Sequence, residues 1–72
     1  MKGYINIIGD IGTTKDAISL ANVVAQVQSQ KQATEFEVLV NSGGGSFYEG
    51  FKIYNYLKSL GKPITTIGSE IV

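Results

Sequence analysis

The chain of 72 residues contains no cysteine and no histidine, and arginine and tryptophan are missing as well. Without cysteine there is no disulfide framework, no thiolate metal site and no thiol nucleophile. Without histidine, the chain's own residues cannot run a Ser-His or Cys-His mechanism, whatever the fold. Six lysines balance six acids. With no arginine among them, the clustered basic charge of a nucleic-acid binder is lacking, and neither DNA nor RNA is an expected partner. No apolar stretch approaches the roughly 18 residues of a membrane span, and Met1-Lys2-Gly3-Tyr4 runs straight into a strand-like segment with no signal-peptide hydrophobic region. The expectation is a soluble cytoplasmic protein with no membrane partner. The acids show no paired spacing suited to a glycosidase or a metal site, so no metal and no cofactor are expected. Length is scarce too: a chain this short makes at most one small domain and buries only about 60% of its unfolded surface. Its missing stability should come from oligomerisation or from further chain.

What the chain does have is glycine, nine in all, three of them consecutive in Asn41-Ser42-Gly43-Gly44-Gly45-Ser46. This stretch sits between an apolar run, Phe36 to Val40, and an amphipathic run, Phe47 to Leu60. Glycine costs backbone entropy and packs nothing, so three together imply positive φ or a close backbone approach. Ser46 followed three residues later by Glu49 reads as a capping box, with each side chain accepting the other's backbone N–H. The glycines therefore stand just outside a helix N-terminus, where unpaired amides and the positive end of the dipole favour negative charge.

The kinds of anion narrow quickly. A dinucleotide fingerprint started from Gly43 puts Tyr48 where its last glycine belongs, and a phosphate loop spanning Gly45 to Gly50 puts Phe51 where its lysine belongs. The transient oxyanion of acyl transfer needs only backbone donors and remains open. So does the plainer reading, in which the glycines let strand and helix pack closely.

Along the chain, Tyr4 to Ile8 is a strand too apolar for clean alternation and so expected to be well covered. Gly9-Asp10-Ile11-Gly12 is turn chemistry. Ala17, Leu20, Ala21, Val24 and Val27 recur at helical spacing, which predicts a helix from about residue 14 to about residue 29, capped by Thr13 or Thr14 with Asp16 in its first turn. Gln26 to Gln32 reads as a solvated helix end and loop, ordinary surface. Glu35 to Val40 is a second strand that opens with alternation and ends as a buried run. The second helix presents Phe47, Gly50, Phe51, Ile53, Tyr54, Leu57 and Leu60 on a broad apolar face; Gly61 and Pro63 end it. Ile64 to Ile67 is a third strand. A β-α-β-α-β order requires crossovers and hence an α/β fold with a parallel sheet, whose functional groups gather at the carboxyl ends of the strands. Ser42 and Ser46 are explained as turn and cap residues, Ser69 as a loop residue and Lys52 as a solvated charge.

Several of these runs carry a family resemblance. Ile5-Asn6-Ile7-Ile8-Gly9-Asp10-Ile11 resembles the first strand of the Clp protease proteolytic subunit (ClpP-like) family, particularly its phage and prophage head-maturation members. Val38-Leu39-Val40-Asn41-Ser42-Gly43-Gly44-Gly45 is similar to that family's strand followed by Asn-Ser-Pro-Gly-Gly. Gly50, then Ile53-Tyr54-Asn55-Tyr56-Leu57-Lys58, is similar to the Gly-x-x-Ile-Tyr-Asn-x-Leu of the helix behind it. The likeness covers nearly the whole chain in order and without gaps.

The resemblance implies that residues 1–72 are the N-terminal part of one domain with the ClpP/crotonase-like spiral of strand and helix units. It implies an ATP-dependent Clp-type serine endopeptidase acting on proteins or peptides, ring-forming homo-oligomers, an AAA+ ATPase as a candidate partner, and a Ser-His-Asp triad. Carried over residue by residue, Gly45, with Gly44, supplies oxyanion-hole amides, and Ser46 and Phe47 lie in the segment that pairs with an extended substrate. Gly43 stands where the family usually has proline, which leaves the loop freer in the unfolded state. The family's serine falls just beyond Val72 and its histidine and acid later still, so this chain alone should be inactive. Replacing Gly45 with alanine in a complete protein is expected to lower turnover roughly a hundredfold or more while leaving assembly intact. Two alternatives are a fragment of a crotonase-like acyl-CoA enzyme, which also holds an oxyanion on backbone amides, and a non-catalytic α/β module for self-assembly.

Overall fold

A computed structural model describes residues 1–68; Ser69, expected as a loop residue, lies outside the described residues. The elements are strand β1 (Lys2–Ile8), helix α1 (Leu20–Gln28), strand β2 (Glu35–Asn41), helix α2 (Phe47–Ser59) and strand β3 (Ile64–Gly68). The three strands form one parallel sheet in the order β1-β2-β3. This is the α/β, parallel β-α-β-α-β arrangement expected from the alternation of strand and helix patterns.

The core lies on one face of the sheet. Register pairs Gly3 with Phe36, Ile5 with Val38 and Ile7 with Val40, and all six are buried. Val23 and Val27 of α1 and Ile53 and Leu57 of α2, each pair at i,i+4 spacing, close over them. Burying each such side chain contributes about 1.5–3 kcal/mol before entropy is counted. Neither strand behaves as a two-sided run. β1 alternates strictly, with Tyr4, Asn6 and Ile8 exposed, and β2 keeps alternating to its end, leaving Leu39 exposed. A strand order that follows the chain order, with right-handed crossovers, puts both helices on the same side, so the other side of the sheet is open among the described residues.

Three further expectations change. α1 begins at Leu20 with Ser19 as its cap, the Ser19 hydroxyl accepting the Asn22 N–H at 3.3 Å. The preceding segment is a loop, not helix. It is folded back by a bridge between Ile11 and Ile18, with Gly12 N–H donating to the Ile18 carbonyl and Ile18 N–H to the Asp10 carbonyl. Thr13, Thr14 and Asp16 are therefore loop residues, and helical spacing through Ala17 is accidental.

The apolar face of α2 is split. Gly50, Ile53 and Leu57 are buried, but Phe47, Phe51 and Tyr54 form a separate exposed stripe, with Phe47 79% exposed and its ring stacked on Phe51 at 6.3 Å between centroids. Nor is the glutamine run plain surface, because Gln26 and Gln30 hydrogen-bond the backbone of β1. The end of α2 is as expected: Leu60 caps it, Gly61 follows at φ +67, and Pro63 precedes β3.

Candidate functional site

The glycine loop leaves β2 at Asn41 and enters α2 at Ser46, at the carboxyl end of the central strand. Ser42 makes the turn. Its buried hydroxyl accepts the Gly44 N–H at 3.2 Å and donates to the Gly44 carbonyl at 2.9 Å. A short polar side chain closing on the backbone two residues ahead is what serine contributes to turns. Ser42 is thereby occupied as the turn residue it was expected to be.

Ser46 caps α2, its Oγ accepting the Glu49 N–H at 3.2 Å. The return half of the capping box does not form. Ser46 N–H donates instead to the Ile11 carbonyl at 2.6 Å, and the Glu49 carboxylate accepts the N–H of Leu20, the first residue of α1, at 2.7 Å. The physical reason is competition. The α1 N-terminus offers an unpaired amide and the positive end of a dipole, and a charge-assisted bond there outweighs one to an amide that already has a carbonyl partner. Glu49 is 6% exposed and ties the first turns of the two helices together. Lys52 stands 3.7 Å from its other oxygen, itself mostly solvated.

Ile11 holds the loop in place. Its N–H donates to the Gly44 carbonyl at 3.1 Å and its carbonyl accepts from Ser46, so it brackets Gly45 as an isolated parallel bridge. The Ile11 side chain is buried in the core. Sequence reasoning passes over this residue because it stands inside a turn segment; its one signal is an isoleucine between two glycines where only polar turn residues are needed.

The bracket accounts for two of the three glycines. Gly44 and Gly45 have φ of +129° and +131°. A Cβ on Gly45 would lie 2.2 Å from the Ile11 oxygen and 2.6 Å from the Ile11 nitrogen, whereas one on Gly43 would meet nothing within 4 Å. Gly43 also lacks a positive φ. The expectation that Gly45→Ala probes a missing donor is therefore corrected: that substitution collides with backbone and disturbs the loop itself.

The sites picked out from sequence differ in what they have free. Among the described residues, the Gly45 N–H has no acceptor, while the Gly44 N–H is held by Ser42. Gly45 is exposed and the first-turn amides of α2 follow it. Ser46 has neither backbone group to spare, since its carbonyl accepts the Gly50 N–H at 3.0 Å. Phe47 is mostly presented to solvent. The arrangement can hold a developing negative charge on a fixed backbone donor; neither Ser42 nor Ser46 is set up as a nucleophile.

No curated protein and no solved structure matches the chain significantly. A family model described as Clp protease matches residues 2–71, so a parallel β-α-β-α-β chain with this glycine loop at the end of its central strand belongs to the Clp protease family.

Proposed function

We propose that residues 1–72 are the N-terminal part of a Clp-type, ATP-dependent serine endopeptidase subunit of the phage and prophage head-maturation type, and that they supply its oxyanion-holding loop. The observation that carries this is the Gly45 N–H: without an acceptor among the described residues, and fixed from both sides by Ile11. A donor held before the reaction begins needs no reorganisation when a peptide carbonyl becomes tetrahedral, and that is where electrostatic catalysis gains most. The serine, histidine and acid come from outside these residues. Gly44 acts indirectly, its carbonyl anchoring Ile11 and its amide anchoring Ser42. Since the Ser46 backbone is engaged on both sides, contact with an extended substrate falls to Phe47. A ring of identical subunits and an AAA+ ATPase partner belong to the same reading, supported by the exposed stripe of Phe47, Phe51 and Tyr54.

The test is hydrolysis of a fluorogenic peptide by the product of the whole reading frame that encodes these residues, with and without an AAA+ ATPase. Turnover is expected. A product that binds acyl-CoA and leaves peptides intact would move the assignment to the crotonase group, and a frame that ends at Val72 with no turnover would leave an assembly module.

A further inference from the structure

β1 is an edge strand, and edge strands present unpaired N–H and C=O groups that recruit other strands. In this chain two of its outward-facing residues are already paired, and by side chains. Gln30 Oε1 accepts the Tyr4 N–H at 2.7 Å and Gln30 Nε2 donates to the Tyr4 carbonyl at 2.8 Å. Gln26 repeats the pattern on Asn6, at 2.8 Å and 2.9 Å. Each glutamine thus imitates the backbone of a neighbouring strand. Its second amide hydrogen is used as well, on Asn22 Oδ1 by Gln26 and on the Gln26 carbonyl by Gln30.

The match is geometric. Four residues of helical turn rise about 6 Å, and two residues of strand span about 6.6 Å, so Gln26 on α1 and Gln30 in the turn just past its end meet Asn6 and Tyr4, respectively, on β1. The far edge is different: β3 carries Thr65, Thr66 and Ile67 exposed, with no side-chain bonds to its backbone among the described residues.

We propose that Gln26 and Gln30 form an edge guard that blocks strand addition at β1 and directs growth of the described sheet to its β3 edge. The guard discriminates against a specific partner, an extended strand from a second copy of the chain or from a peptide. It does so by occupying the pairing groups rather than by charge or proline. This goes beyond the peptidase reading and does not depend on it.

The test uses Gln26→Leu/Gln30→Leu, which keeps side-chain size and helix propensity while removing all four bonds to β1. Amide hydrogen exchange of the parent chain should show Tyr4 and Asn6 protected, and the double variant should lose that protection at least tenfold. In sedimentation velocity the double variant should form species larger than any the parent forms, and adding Asn6→Pro, which removes an edge donor, should return it to the parent's size. Exposed Tyr4 and Asn6 amides with unchanged size would overturn the guard, as would larger species that Asn6→Pro leaves intact. If the double variant loses its circular dichroism, Gln30→Leu alone, freeing only Tyr4, decides by the same two readouts.

Discussion

Replacing Gly45 with alanine should damage the fold, and replacing its near neighbour Gly43 should not. At Gly45 the new methyl would sit 2.2 Å from the Ile11 oxygen on a backbone at φ +131°. Holding a non-glycine residue there costs of order 1–3 kcal/mol. Relief requires Ile11 to move, breaking its bonds to Gly44 and Ser46, each worth about 0.5–1.5 kcal/mol. Together these give a loss of roughly 2–6 kcal/mol. A chain of 72 residues has a total stability of roughly 4–11 kcal/mol at ordinary values per residue, so the loss is a large share of the whole. Gly43→Ala meets nothing and needs no unusual φ, and should stabilise by about 0.4–1 kcal/mol through the unfolded chain. Urea denaturation of the two variants and the parent, followed by circular dichroism, reads both signs at once. A Gly45→Ala variant that unfolds within about 0.5 kcal/mol of the parent, the range of an ordinary surface change, would show that no collision with Ile11 occurs, as would a Gly43→Ala variant that loses as much as Gly45→Ala.

Removing the Gly45 donor without adding a methyl, by an amide-to-ester replacement in the active full-length protein, should lower kcat by about a hundredfold or more with little change in KM; steady-state kinetics on a fluorogenic peptide checks it. Glu49→Ala should cost about 1.5–3 kcal/mol, because it strips a charged acceptor from the Leu20 N–H, and Glu49→Gln should cost less, since a neutral acceptor remains; chemical denaturation separates them. Ile53→Ala should cost about 2–5 kcal/mol, while Phe47→Ala, at a ring 79% exposed, should stay within about 1 kcal/mol. Thermal unfolding of that pair tests whether the apolar face of α2 is split as described.

What the sequence made legible was local. The order of strands and helices, the Ser46 cap, the Gly61 stop and the place of the glycine loop all follow from spacing and turn chemistry within a few residues. The start of α1 was not legible, because Thr13, Thr14 and Ser19 are all competent caps and only the Ile11–Ile18 bridge decides among them. The destination of the Glu49 carboxylate was hidden for a related reason: its spacing from Ser46 fits a capping box, but Leu20, 29 residues away in sequence, offers the better donor. Gln26 and Gln30 looked like surface since their partners lie on β1, at least 20 residues earlier. The one-sided burial of β1 could be recovered only from topology, since Ile8 points outward and interrupts the apolar run's usual meaning. In the candidate site, Gly45 was found from the run of glycines, while Ile11, which fixes it, was not.

The most direct measurement is the mapping of a fluorophosphonate label on the product of the complete reading frame. One modified serine is expected, located beyond Val72, with Gly45 acting on the same acyl centre through its backbone. Ser42 and Ser46 should stay unlabelled, since the first is buried in its own turn and the second caps α2. A label on either of those serines, or no label on a protein that nevertheless hydrolyses peptides, would contradict the assignment of this loop as the oxyanion half of a serine peptidase site.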